Sequence, residues 1–153
     1  MTGKQIIACI LSLAGAVLIL FSGILLGIIA ILLGVIISFT RWIPIIGLLF
    51  EFFGEELTSL GIWLIIVTSI IGVLIIIGAV MILSKSKSRV IKGSILVIAL
   101  SIIAVFFIGG CFSPMGIASL ETLFYVGILL EMIGGTLGLL WRPSDPSPPP
   151  PPP

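Results

Sequence analysis

One acidic residue, Glu131, lies near the middle of the last long apolar stretch of the chain, residues 120–141. A carboxylate near the midplane of a bilayer costs from ~3 to more than ~10 kcal/mol, so it is retained with a partner, a proton or a function. Three interpretations are open. The carboxyl group could tie helices together by a hydrogen bond, contact a partner subunit, or bind and release a proton or cation. Hydroxyl groups that could bond to it within the chain belong to Thr68, Ser69, Ser101 and Thr136.

Small residues share the helical face on which Glu131 lies. Glycines stand three or four residues on either side of it and again one turn further on, and small residues that include glycine recur at helical spacing in two earlier apolar stretches. Small residues let helix backbones approach closely in lipid, where hydrophobic burial gives no driving force. The pattern predicts helix–helix contacts at these positions and places Glu131 in one of them. The seven glycines are Gly23, Gly27, Gly34, Gly72, Gly127, Gly134 and Gly138.

The sequence offers no second group with which Glu131 could form a catalytic site. Histidine is absent, no nucleophile stands near a base, and no carboxylate pair is placed for acid–base chemistry. No residues have the spacing of a metal site, and no glycine-rich loop follows a strand. We therefore expect no enzymatic activity, no metal and no cofactor. The net charge of +1, without a basic patch interleaved with aromatics, gives no reason to expect a nucleic-acid partner.

The composition is that of an integral membrane protein. Of the 153 residues, 59% are hydrophobic and 8% are charged, whereas about a quarter of a soluble domain is charged. A helix needs roughly 20 residues to cross a bilayer. We expect an all-α fold, an integral membrane four-helix bundle over residues 1–141, whose long first span should tilt strongly or protrude. The predicted spans are residues 5–39, 61–83, 93–110 and 120–141.

The charges of the loops predict the orientation of this bundle. Residues 84–92 carry Lys85, Lys87, Arg89 and Lys92 without an acidic residue, and a loop with such an excess of basic residues stays in the cytoplasm. The loops on the other side are acidic or nearly uncharged. With four spans, both termini then lie in the cytoplasm, and we expect a multi-pass protein of the cell (plasma) membrane.

The first outer loop is expected to hold a short amphipathic helix that lies in the membrane interface. Residues 44–53 are largely apolar, while a stripe of glycine, glutamate and threonine runs at helical spacing from Gly47 to Thr58. The alternative is a helical extension of the first span. Tryptophan favours the headgroup region, so the tryptophans are predicted to anchor the bundle there. They are Trp42, Trp63 and Trp141.

The C-terminal residues, 142–153, differ from the rest of the chain and end in six consecutive prolines. Such a segment forms neither helix nor sheet, so we expect a disordered, extended polyproline II tail in the cytoplasm. It is either a stiff solvated tail or the ligand of a polyproline-binding partner with an aromatic-lined groove.

Two parts of the chain resemble known membrane proteins. Residues 128–140 (ILLEMIGGTLGLL) are similar to the run around the fourth-span glutamate of the four-helix proteolipid of rotary ATPases, which implies that Glu131 carries an ion. Residues 83–110 and 134–143 resemble short four-span prokaryotic membrane proteins of uncharacterised function, with which they share a basic second loop and a glycine-rich last helix. That resemblance implies a helical bundle without an assigned activity.

Together these features predict a non-catalytic accessory or scaffold subunit. It would pack through its glycine-rich helix faces, either with copies of itself or with other membrane subunits, and Glu131 would belong to such a contact. The alternative function is that of a proton- or cation-translocating subunit that uses Glu131. Because the chain has no second charge inside its apolar stretches, transport would need a partner subunit or a ring of copies.

Overall fold

The computed structural model describes residues 3–39, 44–110 and 118–140. Apart from the short connection at residues 83–86, this part of the chain is helical, and it contains no strand. Its helices are α1 (Gly3–Phe39), α2 (Pro44–Ile82), α3 (Lys87–Ala104) and α4 (Ala118–Leu140). Helix α3 continues without interruption into a π-helical segment, Val105–Gly109.

Four helical segments are long and apolar enough to cross a membrane. They are Gln5–Phe39, Gly54–Ile82, Lys87–Gly109 and Ala118–Leu140. Isoleucine and valine are only moderate helix formers, but in lipid a helix satisfies every backbone hydrogen bond within one segment. The prediction of an all-α chain with four apolar helices of membrane-spanning length is confirmed.

The second helix begins much earlier than the sequence predicted. Residues 44–53, expected as a separate helix in an outer loop, are continuous with the second span in α2. Pro44 suits the first turn of a helix, because its fixed φ and missing N–H are tolerated there. No break precedes residue 61, since Gly54 and Gly61 both face α1 and extend the packed face of α2. The side chains of residues 44–53, and the predicted amphipathic stripe with them, lie outside the described residues.

The third helix also begins earlier, at Lys87 instead of residue 93. Ser86 has an extended backbone (φ −86°, ψ 121°), and the Val90 N–H donates to the Ser86 carbonyl oxygen at 3.1 Å, which closes the first turn. Val90 is buried, so this turn packs into the bundle while the basic side chains around it stay exposed. Most of the predicted basic loop is therefore the beginning of α3.

The four helices form a square bundle in which each helix is antiparallel to the next. Helix α1 packs against α2 and α4, and α3 packs against the same two helices. The residue numbers rise along α2 as they fall along α1, because Gly34 faces Gly54 whereas Gly23 faces Thr68. The other neighbouring pairs run in opposite directions in the same way. The bundle therefore has up-down-up-down topology.

The beginning of α1, the end of α4 and the α2–α3 connection lie at one end of the bundle. Gln5 Nε2 of α1 donates to the Ser84 carbonyl oxygen of the connection at 3.3 Å. Ser12 of α1 lies beside Gly134 near the end of α4. This end is called the basic end below, because it carries the exposed side chains of Lys85, Lys87, Arg89 and Lys92.

Three of the helix–helix contacts, those of α1 with α2, α2 with α3 and α1 with α4, contain pairs of facing glycines. A Cβ atom built on Gly27 would lie 2.8 Å from the Gly61 carbonyl oxygen, and one built on Gly61 would lie 2.6 Å from the Gly27 carbonyl oxygen. A real side chain at either position would push the helices apart, so the missing side chains permit the approach. The same reciprocal contact recurs at Gly34 with Gly54, Gly78 with Gly93, and Gly15 with Gly127.

Apolar side chains occupy both the inside and the outside of the bundle. Ile19, Leu64 and Phe124 are fully buried, whereas Phe106 in the π-helical segment is 79% exposed. Large exposed apolar side chains are found along all four helices. Such a surface suits lipid, which solvates apolar groups as well as the protein interior does.

The α1–α2 pair is much longer than the α3–α4 pair. Helices α1 and α2 have 37 and 39 residues, whereas α4 and the third span have 23 each. At 1.5 Å per residue this is a difference of about 20 Å. The helix ends are level at the basic end, so the extra length of α1 and α2 lies at the opposite end of the bundle. It consists of residues 27–39 and 44–61, which are called the arm below. Exposed apolar side chains of the arm include Leu32, Val35 and Ile36.

We expect Gly61→Ala to destabilise the bundle, because the added methyl group would meet the Gly27 carbonyl oxygen and force α1 away from α2. Overpacking of this kind costs about 1–3 kcal/mol. The free energy of unfolding, measured by titration with SDS in mixed micelles, should fall by that amount. Gly110→Ala is the matched control, because nothing lies within 4 Å of a methyl group there. Equal stability of the two variants would contradict the glycine contact.

Candidate functional site

Glu131 lies in the middle of α4 and is fully buried. Small residues of both neighbouring helices face it. A Cβ atom built on Gly15 of α1 would lie 2.5 Å from Glu131 Cγ, so the missing side chain of Gly15 leaves the space that the glutamate occupies. On the other side, Ser101 of α3 contacts the carboxyl group itself. Glu131 therefore faces the interior of its own chain and not lipid.

The carboxyl group is hydrogen-bonded on one oxygen atom. Ser101 Oγ lies 2.7 Å from Glu131 Oε2, to which it can donate, and 2.8 Å from the Val97 carbonyl oxygen one turn earlier in α3. Glu131 Oε1 is buried and has no partner within the described part of the chain. An unpaired buried polar atom of this kind costs about 1–3 kcal/mol, so it marks either strain or a place where something binds.

Two more buried hydroxyl groups face α4 between Glu131 and the basic end. Ser12 Oγ of α1 lies against Gly134, and Ser94 Oγ of α3 lies against Gly138, each in the place where the first carbon of a side chain would be. Neither oxygen atom has a hydrogen-bond partner among the described residues. Together with Glu131 and Ser101 they form a line of polar groups along α4, called the polar seam below.

The unpaired hydroxyl groups of the seam are unusual within this bundle. A serine or threonine inside a helix commonly bonds to the carbonyl oxygen of the preceding turn. Ser22 Oγ donates to the Leu18 carbonyl oxygen at 2.8 Å, and Thr68 Oγ1 to the Leu64 carbonyl oxygen at 2.6 Å. Ser12 and Ser94 lack such a bond, so three unpaired buried oxygen atoms, including Glu131 Oε1, lie on one side of α4.

The basic side chains that the structure describes lie at the basic end, away from Glu131. Lys85, Lys87, Arg89 and Lys92 are exposed at the basic end, and none of them is buried among the helices. A charge on Glu131 would therefore have no counterion among the described residues. Uncompensated charge in an apolar interior is strongly unfavourable, so the surroundings of this carboxyl group favour its neutral form.

Of the four hydroxyl groups that the sequence offered as partners of Glu131, Ser101 is in contact with it. Thr68 bonds within α2 and faces Gly23 of α1. Thr136 is exposed, and its Oγ1 donates to the Met132 carbonyl oxygen. The helix that supplies the partner is thus α3.

The seven glycines singled out in the sequence are all buried and all face another helix of the same chain. Three of them line the α1–α2 contact from α1, one lines it from α2, and three lie on α4. The facing pairs are Gly23 with Thr68, Gly27 with Gly61, Gly34 with Gly54 and Thr58, Gly72 with Leu20, Gly127 with Gly15, Gly134 with Ser12, and Gly138 with Ser94. These glycine faces are therefore already occupied within the chain.

One of the three predicted anchors lies in the described part of the chain. Trp63 is 44% exposed, and its ring lies 6.4 Å from that of Phe107, centroid to centroid, where α2 passes the end of the third span. Trp42 and Trp141 lie outside the described residues, as does the tail of residues 142–153.

Sequence reasoning missed the roles of Gly15 and Ser94. Gly15 stands between two alanines in an evenly apolar helix, so nothing local marks it as the residue that makes room for a carboxyl group. Ser94 and Ser101 are two helical turns apart and therefore share one face of α3. That spacing was a usable signal, because it brings two hydroxyl groups to the same neighbouring helix.

We expect Ser101→Ala to destabilise the bundle, because it leaves both oxygen atoms of Glu131 without a partner. Leaving a buried polar group unpaired costs about 1–3 kcal/mol. The free energy of unfolding in SDS-containing micelles is the measurement. Ser88→Ala is the matched control, since Ser88 is exposed near the start of the same helix. A Ser101→Ala variant as stable as Ser88→Ala would rule out a stabilising contact with Glu131.

Comparison of the chain with protein families, with curated proteins and with solved structures found no match. The similarities of residues 128–140 to the rotary proteolipid and of residues 83–110 to four-span prokaryotic proteins therefore stay resemblances of sequence pattern. The helical bundle, its arm and the polar seam are the features from which a function can be argued.

Proposed function

We propose that this protein is a non-catalytic accessory or scaffold subunit that packs against other helices in the membrane. The observation that carries the proposal is the arm, which extends an apolar two-helix surface beyond the α3–α4 pair. The glycine faces are used inside the chain, so the contact with a partner has to be made by the outer surface. The partner is a second copy or another integral membrane subunit with apolar helices.

The length of the arm supports this proposal. The first apolar segment has 35 residues, or about 52 Å at 1.5 Å per residue. Even at a tilt of ~40°, the upper end of the usual range, it still spans about 40 Å, whereas the hydrocarbon core is ~30 Å thick. Tilt alone therefore leaves apolar side chains such as Leu32 and Ile36 beyond the hydrocarbon. A neighbouring helix that covers them removes this surface from water.

We place the basic end of the bundle in the cytoplasm of the cell. The exposed side chains of Lys85, Lys87, Arg89 and Lys92 support this orientation through the positive-inside rule. Both termini are then cytoplasmic, so the tail of residues 142–153 is available to a polyproline-binding partner. The arm is then on the outer side, where residues 44–53 of α2 run at or beyond the membrane interface.

Extraction in a mild detergent tests the proposal. We expect the protein to migrate on native gels as an assembly larger than one copy, and mass spectrometry of the band tells a homo-oligomer from a mixed complex. Ile36→Ser should weaken the assembly, because Ile36 is 60% exposed on the arm. Ile133→Ser on α4, where the side chain is 50% exposed, should leave it intact. A wild-type protein that is monomeric without a partner argues against the accessory role.

Sidedness is tested separately, in intact cells and inverted vesicles, with Ser86→Cys at the basic end of a chain whose Cys9 and Cys111 are replaced by serine, so that the new cysteine is the one thiol present. A membrane-impermeant maleimide should label it in inverted vesicles and not in intact cells. Labelling of intact cells would overturn the cytoplasmic position of the basic end while leaving the assembly result unaffected.

A second candidate function is translocation of protons or cations by Glu131. The observation that favours it is Glu131 Oε1, a fully buried carboxyl oxygen without a hydrogen-bond partner among the described residues. The unpaired oxygen atom leaves a position at the carboxyl group that an ion or a donor can occupy. Ionisable residues inside membrane helices commonly mark ion pathways.

Flux measurements in proteoliposomes test this second function. Glu131→Gln keeps the shape of the side chain and its contact with Ser101 but cannot ionise, so it should abolish the flux. Glu121→Gln, at the half-exposed start of the same helix, is the matched control and should retain it. Absence of flux in the wild type, or undiminished flux in Glu131→Gln, would exclude translocation by this residue.

A further inference from the structure

The Ser101 hydroxyl group has two acceptors and one proton. Its Oγ lies 2.8 Å from the Val97 carbonyl oxygen and 2.7 Å from Glu131 Oε2, and both distances are those of good hydrogen bonds. One O–H bond cannot point well at both acceptors. In one of the two contacts, the neighbouring group must therefore donate a proton to Ser101 Oγ. A backbone carbonyl oxygen has no proton to donate. Of the three groups, the Glu131 carboxyl is the one that can supply it.

A protonated Glu131 satisfies both contacts at once. The Oε2–H bond then donates to Ser101 Oγ, and Ser101 donates to the Val97 carbonyl oxygen, so that the two hydrogen bonds run in one direction. Oε1 remains as the carbonyl oxygen of a neutral acid. An ionised Glu131 would instead take the Ser101 proton and leave negative charge on Oε1, which is buried without a donor in the described part of the chain. Burial of unpaired charge is far more costly than burial of an unpaired carbonyl.

A metal cation finds too few ligands in the same place. Hard cations such as Mg²⁺ and Ca²⁺ take about six or more oxygen ligands. Around the Glu131 carboxyl, the described residues offer its own two oxygen atoms and Ser101 Oγ. The nearest backbone carbonyls, such as that of Gly127, belong to the hydrogen-bond ladder of their own helix. No group of three metal-binding side chains occurs among the described residues.

The titratable side chains of the helices around Glu131 lie away from it. Helix α1 presents Gly15 to the carboxyl group, and its buried thiol, Cys9, lies almost two turns nearer the basic end. Helix α3 presents Ser101, and its basic residues are exposed at the basic end. On α4 itself, Glu121 and Tyr125 lie toward the other end. Proton binding at Glu131 is therefore governed by its immediate contacts.

From these contacts we propose that Glu131 and Ser101 form a proton-binding site that excludes metal cations, with the Val97 carbonyl oxygen as the last acceptor of its hydrogen-bond chain. This inference rests on the second candidate function and names its ion. The bound proton has a structural role in every copy that is not transporting, because it completes the hydrogen bonds between α3 and α4. Removal of the proton requires that Ser101 turn its O–H bond from Val97 to Glu131.

The test uses the full chain in lipid nanodiscs and dicyclohexylcarbodiimide, an apolar reagent that modifies protonated carboxyl groups inside membranes. Because Glu131 is fully buried, we expect the adduct to form slowly, and mass spectrometry should find it on Glu131 after long incubation in neutral buffer. If no adduct forms, the infrared measurement below decides. The rate of labelling should be the same in sodium chloride, potassium chloride and choline chloride of equal ionic strength, and magnesium or calcium chloride should not change it either. Protection of Glu131 by any of these metal cations would overturn the proposal.

Infrared spectroscopy gives a second reading that needs no reagent. We expect a carbonyl band of a protonated carboxyl group in neutral buffer, present in the wild type and in Glu121→Gln and missing in Glu131→Gln. In Ser101→Ala the band should shift, because the acid loses its hydrogen-bond acceptor, and Ser101→Thr should restore it. A wild type whose carboxyl groups are all ionised would contradict the proposal even if the variants fail to fold.

The outcomes for the site and for transport can be told apart. Labelling of Glu131 that metal cations do not affect, without flux in proteoliposomes, overturns the second candidate function and leaves the proton site in place. Flux together with cation protection keeps transport and overturns the proton site.

Discussion

In a bilayer, the apolar side chains of this chain gain nothing by leaving lipid for one another, so the bundle depends on the close approach of helix backbones at glycine. The pairs Gly27–Gly61, Gly34–Gly54, Gly78–Gly93 and Gly15–Gly127 bring carbonyl oxygens of one helix against the α-carbons of the next. Short contacts of this kind add dispersion energy and weak Cα–H···O hydrogen bonds. These pairs account for the antiparallel order of α1 with α2 and α4 and of α2 with α3, while α3 meets α4 where Ser94 lies against Gly138.

The same constraint explains the polar seam. The contact between Gly15 and Gly127 draws α1 against α4, and the space left by Gly15 is then filled by the side chain of Glu131 one turn further along. Serine is small enough to take glycine's place in such a contact, which is how Ser12 and Ser94 meet α4. Their hydroxyl groups have no hydrogen-bond partner among the described residues, whereas Thr68, in an equally close contact with Gly23, donates to the Leu64 carbonyl oxygen. Close packing therefore accounts for the positions of these buried polar side chains, which are also the candidate functional groups.

The sequence predicted those parts of the structure that depend on local spacing. The apolar stretches, the glycine face of α4 and the burial of Glu131 within a helical protein all follow from periodicity along one segment. The choice of Ser101 among four hydroxyl groups depends on how α3 is rotated toward α4, and no local pattern contains that rotation. Likewise, the sequence predicted a separate interfacial helix in the first outer loop, whereas packing of Gly54 and Gly61 against α1 keeps α2 helical through that region.

The unequal lengths of the two helix pairs also act on the lipids. The arm extends about 20 Å beyond the start of α4. Lipids beside α3 and α4 therefore meet a shorter apolar surface than lipids beside α1 and α2. Membranes respond to such a step by local thickening or by bending. The molecule is therefore an asymmetric inclusion, and the elastic strain that surrounds it has a direction. Two inclusions of this shape attract when they share the deformed lipid, which orients neighbours even before their side chains touch.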